Sequence, residues 1–164
     1  MKKTIFIALI MLTGFISNAQ IKSASIQASG LTCSMCSNSI YKSLKKVSFI
    51  ENVESDVEKS IFTIKFKENE TVDLDAVHKA VEKTGFSISG FQFVMNVANL
   101  EAKDGVNFEL EGKKFHFVDV KENKLNGDVM FRLINKNFVA PKEYKRLKTK
   151  LVESNSERIF NITI

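Results

Sequence analysis

Apolar positions recur along the chain with two different periods, and the places where the period changes divide it into elements. Ala24, Ile26 and Ala28 alternate with polar neighbours, the spacing of a half-buried strand, and Gly30 ends that run. From Ser34 the spacing is helical: Ile40, Leu44 and Val47 share a face, while Asn38, Lys42, Lys45 and Lys46 fall largely elsewhere. Ile50, Val53 and Val57 mark a second strand region. Ile61-Phe62-Thr63-Ile64-Lys65-Phe66 is a third, rich in β-branched and aromatic residues, with Glu58-Lys59-Ser60 as the hairpin turn between them. Asp73 is placed to cap a second helix whose apolar stripe is Leu74, Val77 and Val81, and Gly85 ends it. Phe86, Ile88, Phe91 and Phe93 then form a closing strand.

The order βαββαβ over residues 20–94 predicts a ferredoxin-like sandwich, an α+β fold with two helices on one face of an antiparallel sheet. In it the loop before the first helix lies at one edge, beside the turn at Thr84 to Phe86. Near Val94 to Gly105 the composition shifts and strand signals restart. Phe108 and Leu110 precede a turn at Glu111-Gly112-Lys113; Phe115, Phe117 and Val120 follow; turns are expected near Asn123 and at Asn126-Gly127. Val129, Phe131 and Leu133 share one face. Pro141, the only proline, opens a helix through Leu151 that carries Tyr144, Leu147 and Leu151 inward, and Phe160, Ile162 and Ile164 make a last strand. Residues 95–164 are therefore expected to form a small, mostly antiparallel β domain, an OB-like barrel being one way to close it.

The first residues belong to neither unit. Met1-Lys2-Lys3, an apolar run from Ile5 to Ile16 and the small residues Ser17-Asn18-Ala19 have the order of a secretory signal peptide, and the run is shorter than the ~20 residues a membrane span needs. Cleavage after Ala19 is expected, giving an exported, periplasmic or extracytoplasmic protein that starts at Gln20 and keeps no membrane span. Loss of Lys2 and Lys3 lowers the net charge from +5 to +3, too mild to imply a nucleic-acid surface.

Both cysteines of the chain lie in Gly30-Leu31-Thr32-Cys33-Ser34-Met35-Cys36, where a strand hands over to a helix. A Cys-x-x-Cys pair entering a helix aims one sulfur from the loop and one from the first turn at a common point. The unpaired N–H groups there favour thiolate, the form that binds metal. Soft thiolates select soft or borderline ions such as Cu(I) and Zn(II), and two sulfurs suit the low coordination number that Cu(I) tolerates. A closed structural zinc site needs four ligands, and no second cysteine pair exists. Met35 between the cysteines is a spacer rather than a ligand. His78 and Lys83 read as helix-surface residues, and His116, Met95 and Met130 as strand and core residues. Lys142, Lys145, Arg146, Lys148 and Lys150 read as the wet side of the last helix.

Residues 21–90 resemble a heavy-metal-associated (HMA) domain, the module of copper chaperones, metal-pumping ATPases and the periplasmic mercury-binding protein. Gly30-Leu31-Thr32-Cys33-Ser34-Met35-Cys36 is similar to the family's Gly-Met-Thr-Cys-x-x-Cys. Ile40 and Leu44, Val53 and Val57, and Lys83-Thr84-Gly85-Phe86 match at the right distances. Leu31 stands where the family usually has Met, Phe49 replaces a common glycine, and Phe86 stands where chaperones often carry Tyr or Lys. No acid flanks the cysteines, whereas zinc-type members often add a carboxylate. The resemblance implies Cu(I) as the metal, with Hg(II), Zn(II) and Cd(II) as alternatives, held by Cys33 and Cys36.

It also implies a non-enzymatic carrier or scavenger that exchanges its ion with a metal donor or acceptor, such as a metal-transporting ATPase or an efflux component. Two other classes use the same loop. A thiol–disulfide oxidoreductase is disfavoured by the absence of Trp and Pro near the motif and by the strand order. A metal-switched interaction module of an efflux system is the other. In an oxidising compartment Cys33 and Cys36 would tend to pair, so export sets oxidation against metal binding.

Overall fold

The computed structural model describes residues 20–31 and 33–164; the expected signal peptide and Thr32 lie outside the described residues. The chain runs β1 (Ile21–Ser29), α1 (Ser34–Leu44), β2 (Ile50–Asp56), β3 (Ile61–Phe66), α2 (Leu74–Glu82) and β4 (Ser87–Ala102). It continues through β5 (Asn107–Leu110), β6 (Lys113–Phe117), β7 (Asn123–Leu133), α3 (Pro141–Leu147) and β8 (Ile159–Thr163). The fold is α+β, as the periodicity predicts.

The alternation in β1 buries Ala24, Ile26 and Ala28, and the helical stripes bury Ile40 and Leu44 of α1 and Leu74, Val77 and Val81 of α2. These sets meet over one sheet face, with Phe62, Ile64 and Phe91 fully covered beneath the helices. Asp73 caps α2 as expected, its Oδ1 accepting the Ala76 N–H at 3.0 Å. The turn after β2 forms at residues 57–60, with Asp56 Oδ1 accepting the Lys59 N–H. Val57, expected in the second strand, sits in that turn and is exposed, because the strand ends one residue earlier.

Among the described residues the strands form one eight-stranded sheet in the order β2-β3-β1-β4-β7-β8-β6-β5. In a bare βαββαβ sandwich β4 would be an edge strand with a row of open backbone groups. Here it is 16 residues long and its outer side pairs with β7, from Gln92↔Arg132 to Ala102↔Asn123. The division expected between residues 94 and 95 thus falls inside a strand whose buried alternation, Phe91, Phe93, Met95 and Val97, runs on unbroken.

Beyond β4 the sheet is covered mainly by its own curvature. Phe93 of β4 stacks on Phe115 of β6 at 6.0 Å between ring centres although β7 and β8 lie between those strands in the sheet. Phe131, Phe117, Phe108 and Phe160 fill the same hollow at 5.0–6.3 Å. From β4 the sheet runs on through β7, β8, β6 and β5, mostly antiparallel with β6 and β8 parallel, and among the described residues β5 is not paired with β4, so the sheet stays open where the OB-like barrel expected would close.

Three local expectations differ. Asn126-Gly127 makes no reversal: β7 passes straight through, the ladder to β4 shifts register between Val97 and Leu100, and Asn126 Oδ1 accepts the Asn99 N–H across it. Ile164, expected in the last strand, lies beyond β8 and is exposed. The helix expected through Leu151 ends earlier: α3 stops at Leu147, a single 3-10 turn covers Lys148–Lys150 and Leu151 is extended, though Tyr144, Leu147 and Leu151 still pack inward on Val118, Ile134 and Val139.

Cross-links tie the two regions. The Arg158 guanidinium donates to both carboxylate oxygens of Asp75 in the first turn of α2 at 2.8 and 2.9 Å, while lying 4.8 Å from the Phe160 ring centre. Asp128 of β7 accepts from Lys22 of β1 and Asn96 of β4.

Candidate metal centre

The cysteine loop is built by a turn and a cap. Gly30 takes φ +80, a left-handed conformation that a side chain would strain, and swings the chain off β1. Cys33 is the N-cap of α1 in extended conformation, and its sulfur accepts the Cys36 N–H at 3.3 Å. The thiol thus occupies the position that Ser or Asp usually fills. Leu31 packs against the core behind the loop, as does half-buried Phe86 after the second helix. Gly85, at φ +85, makes the turn between α2 and Phe86.

Cys33 and Cys36 stand as a dithiol with the sulfurs 2.6 Å apart, Cys33 exposed and Cys36 half-buried. The hydrogen bond from the Cys36 thiol holds the Cys33 thiol below its ordinary range, and the Cys36 N–H and then the Met35 N–H act in the same direction. These groups stabilise charge on the Cys33 sulfur, and thiolate is the form that binds metal. Metal–thiolate bonds are about 2.3 Å long, so an ion between the sulfurs spreads the pair, a motion the exposed Cys33 side chain has room to make.

Met35, expected as a spacer, is 80% exposed, and its carbonyl accepts the Ser39 hydroxyl. Among the described residues no group of three or more His, Cys, Asp or Glu converges on one point. His78 lies against Phe138 at 5.3 Å between ring centres, and Lys83 is the exposed C-cap of α2. His116 is buried with Nδ1 against Asn107 Oδ1 at 2.6 Å, and burial lowers its pKa. Met95 is buried and Met130, one position along the neighbouring ladder, is exposed on the opposite face, so the two sulfurs do not share a site with His116.

The family model for the heavy-metal-associated domain matches residues 25–87. Residues 25–87 are a heavy-metal-associated domain, a metal-binding module, carried here in a longer chain. A copper-transporting ATPase of Helicobacter pylori is 41% identical over 58 residues, which is 35% of this chain and 8% of the relative; a second, from strain ATCC 700392 / 26695, is 40% identical over the same length. The matched segment thus spans 8% of the length of these relatives.

Among solved structures, oxidized MerP from Ralstonia metallidurans CH34 is 23% identical, covering 43% of this chain and 96% of its own, with a TM-score of 0.39. The putative copper-ion-binding protein from Bacillus anthracis str. Ames is 22% identical, covering 44% and 100%, also with a TM-score of 0.39.

Proposed function

We propose that this protein is an exported, non-enzymatic carrier or scavenger of Cu(I), with Cys33 and Cys36 as the ligands. The observation that carries this reading is the exposed dithiol at the start of α1, its sulfurs 2.6 Å apart, inside a heavy-metal-associated domain. The soft sulfur pair without a neighbouring carboxylate supports Cu(I) over Zn(II), and the names of the ATPase relatives point the same way. The residue order of 1–19 supports export.

Transfer proceeds by ligand exchange. The ion sits between the Cys33 and Cys36 thiolates, a thiolate of the acceptor adds as third ligand, and the bond to exposed Cys33 breaks, so the ion passes on with no change of oxidation state. A metal-transporting ATPase or an efflux component is the acceptor this chemistry suits. Oxidation of the pair to a disulfide removes both ligands, so the carrier works only while reduced or already loaded.

The test is a competition titration of the reduced protein with Cu(I), Zn(II) and Hg(II). One equivalent of Cu(I) is expected to bind, and binding is lost in Cys33→Ser and in Cys36→Ser. Undiminished Cu(I) binding by the double serine variant refutes the site; a preference for Zn(II) refutes the metal.

A further inference from the structure

The two regions of the chain meet across a cavity of about 540 Å³ that belongs to neither alone. One wall is the first half of α2, with Asp75, His78 and Lys79; the others are the turn at residues 135–138, between β7 and α3, and the irregular segment at 152–159 before β8. Its volume falls in the range of pockets that enclose small molecules, and such pockets favour junctions between structural units. Among the described residues, none from the cysteine loop lines it.

The walls are held in place by the fold itself. Buried Asn135 donates through Nδ2 to the Ile159 carbonyl at 2.9 Å and accepts the Asn161 N–H at 2.6 Å, which anchors the turn to β8. The Arg158–Asp75 pair ties the 152–159 segment to α2. His78 lies against Phe138, and Val152 and Ile159 supply further apolar surface. A cavity fixed in this way loses little freedom when a ligand enters.

Its charges are sorted. Asp75 pairs with Arg158, Glu157 with Lys114, and Glu153 accepts the Tyr144 hydroxyl. Lys79 and Lys136 make no ion pair or hydrogen bond through their side chains among the described residues, nor do the Asn137 and Asn155 amides. The cavity thus keeps two cations without counter-ions, one on α2 and one on the turn after β7, together with amides that can donate.

We propose that this junction cavity binds a small dicarboxylate, one carboxylate on Lys79 and the other on Lys136, with its carbon chain against the apolar part of the wall. One lysine at each anchoring point matches the single charge of a carboxylate. A phosphate, with up to two charges at one point, would meet a single cation there and the nearby negative charge of Asp75, Glu153 and Glu157. Because the anchors belong to different regions, the bound molecule joins α2 to the turn after β7. The proposal is independent of the carrier reading.

The test titrates the reduced, metal-free, isotope-labelled protein with succinate and glutarate, with acetate and inorganic phosphate as controls at matched ionic strength. Saturable binding of at least one dicarboxylate is expected, about tenfold tighter than acetate, with amide shifts centred on residues 75–79, 135–138 and 152–159. Lys79→Gln and Lys136→Gln each remove one of two linked contacts and are expected to weaken binding about tenfold. Lys124→Gln, outside the cavity, is expected to leave it unchanged.

Acetate or phosphate binding as tightly as the dicarboxylates, shifts centred elsewhere, or no binding of either dicarboxylate overturns the proposal. So does an effect of only one of the two cavity lysines, since a single anchor would then suffice. Equal weakening by Lys124→Gln would mark general charge attraction and overturn it too.

Discussion

The two regions that share β4 solve the same problem, covering one face of a sheet, by different means. In the first, α1 and α2 lie across the strands, and the helix start left at the edge of the layer carries the dithiol. In the second, the sheet rolls up and the faces of Phe93, Phe115, Phe117 and Phe131 cover one another. Helices laid on a sheet expose their capped ends, where unpaired N–H groups favour anionic sulfur. A sheet curled around aromatic rings buries its chemistry. The contrast explains why the dithiol loop belongs to the first region and why the second contributes stability.

The largest expected effect tests whether the rolled region supports the whole chain. Phe131→Ala removes a fully buried ring that touches Phe93 and Phe117, and a loss of about 3–5 kcal/mol is expected. Because β4 belongs to both regions, urea unfolding followed by far-UV dichroism should remain one transition at lower denaturant. Two resolved transitions would mean that the regions are energetically separate.

Next comes the cross-link. Arg158→Ala removes the two-pronged pair with Asp75 and the contact with Phe160, at an expected cost of about 1–2 kcal/mol. Hydrogen exchange should then quicken first in the opening turn of α2. Gly85→Ala meets no neighbouring atom, so its cost is the strain of φ +85 alone, about 1 kcal/mol in thermal unfolding.

A smaller, pH-dependent effect belongs to the second region. Burial lowers the pKa of His116 from 6.5, so the folded chain resists a proton that the unfolded chain accepts. That contribution is complete above pH 6.5 and is lost as pH falls from there through the lowered folded value. His116→Gln should flatten this part of a stability–pH curve, and an unchanged curve would assign the acid sensitivity to other groups. Smallest of all is Cys33→Ser: a hydroxyl caps α1 at least as well as a thiol, so stability should move by less than about 0.5 kcal/mol while metal binding disappears. A large stability loss would show that the loop, like the rolled sheet, is structural.

Much of the first region was legible because local signals and long-range packing agree there. The alternation of β1, the stripe of α2, its Asp73 cap, Gly85 and the cysteine pair each require only neighbouring residues to interpret. The second region failed where a local signal has two physical outcomes. Asn126-Gly127 suits a tight reversal, but it also suits an irregularity within a strand, and only the partner strand at Asn99 decides between them. Near Met95 the change of composition marked a change of hydrogen-bonding partner, with no turn. Arg158 and Asp75 are 83 residues apart, so no pattern in the chain announces their pairing.

The length of β4 has a consequence for how the molecule moves. Two modules on a linker would rotate with separate correlation times, and a loaded loop could swing toward any acceptor independently of what the other module held. A single strand of roughly 50 Å of extended chain makes the protein one rotor. Whatever holds the second region therefore also fixes the bearing of Cys33.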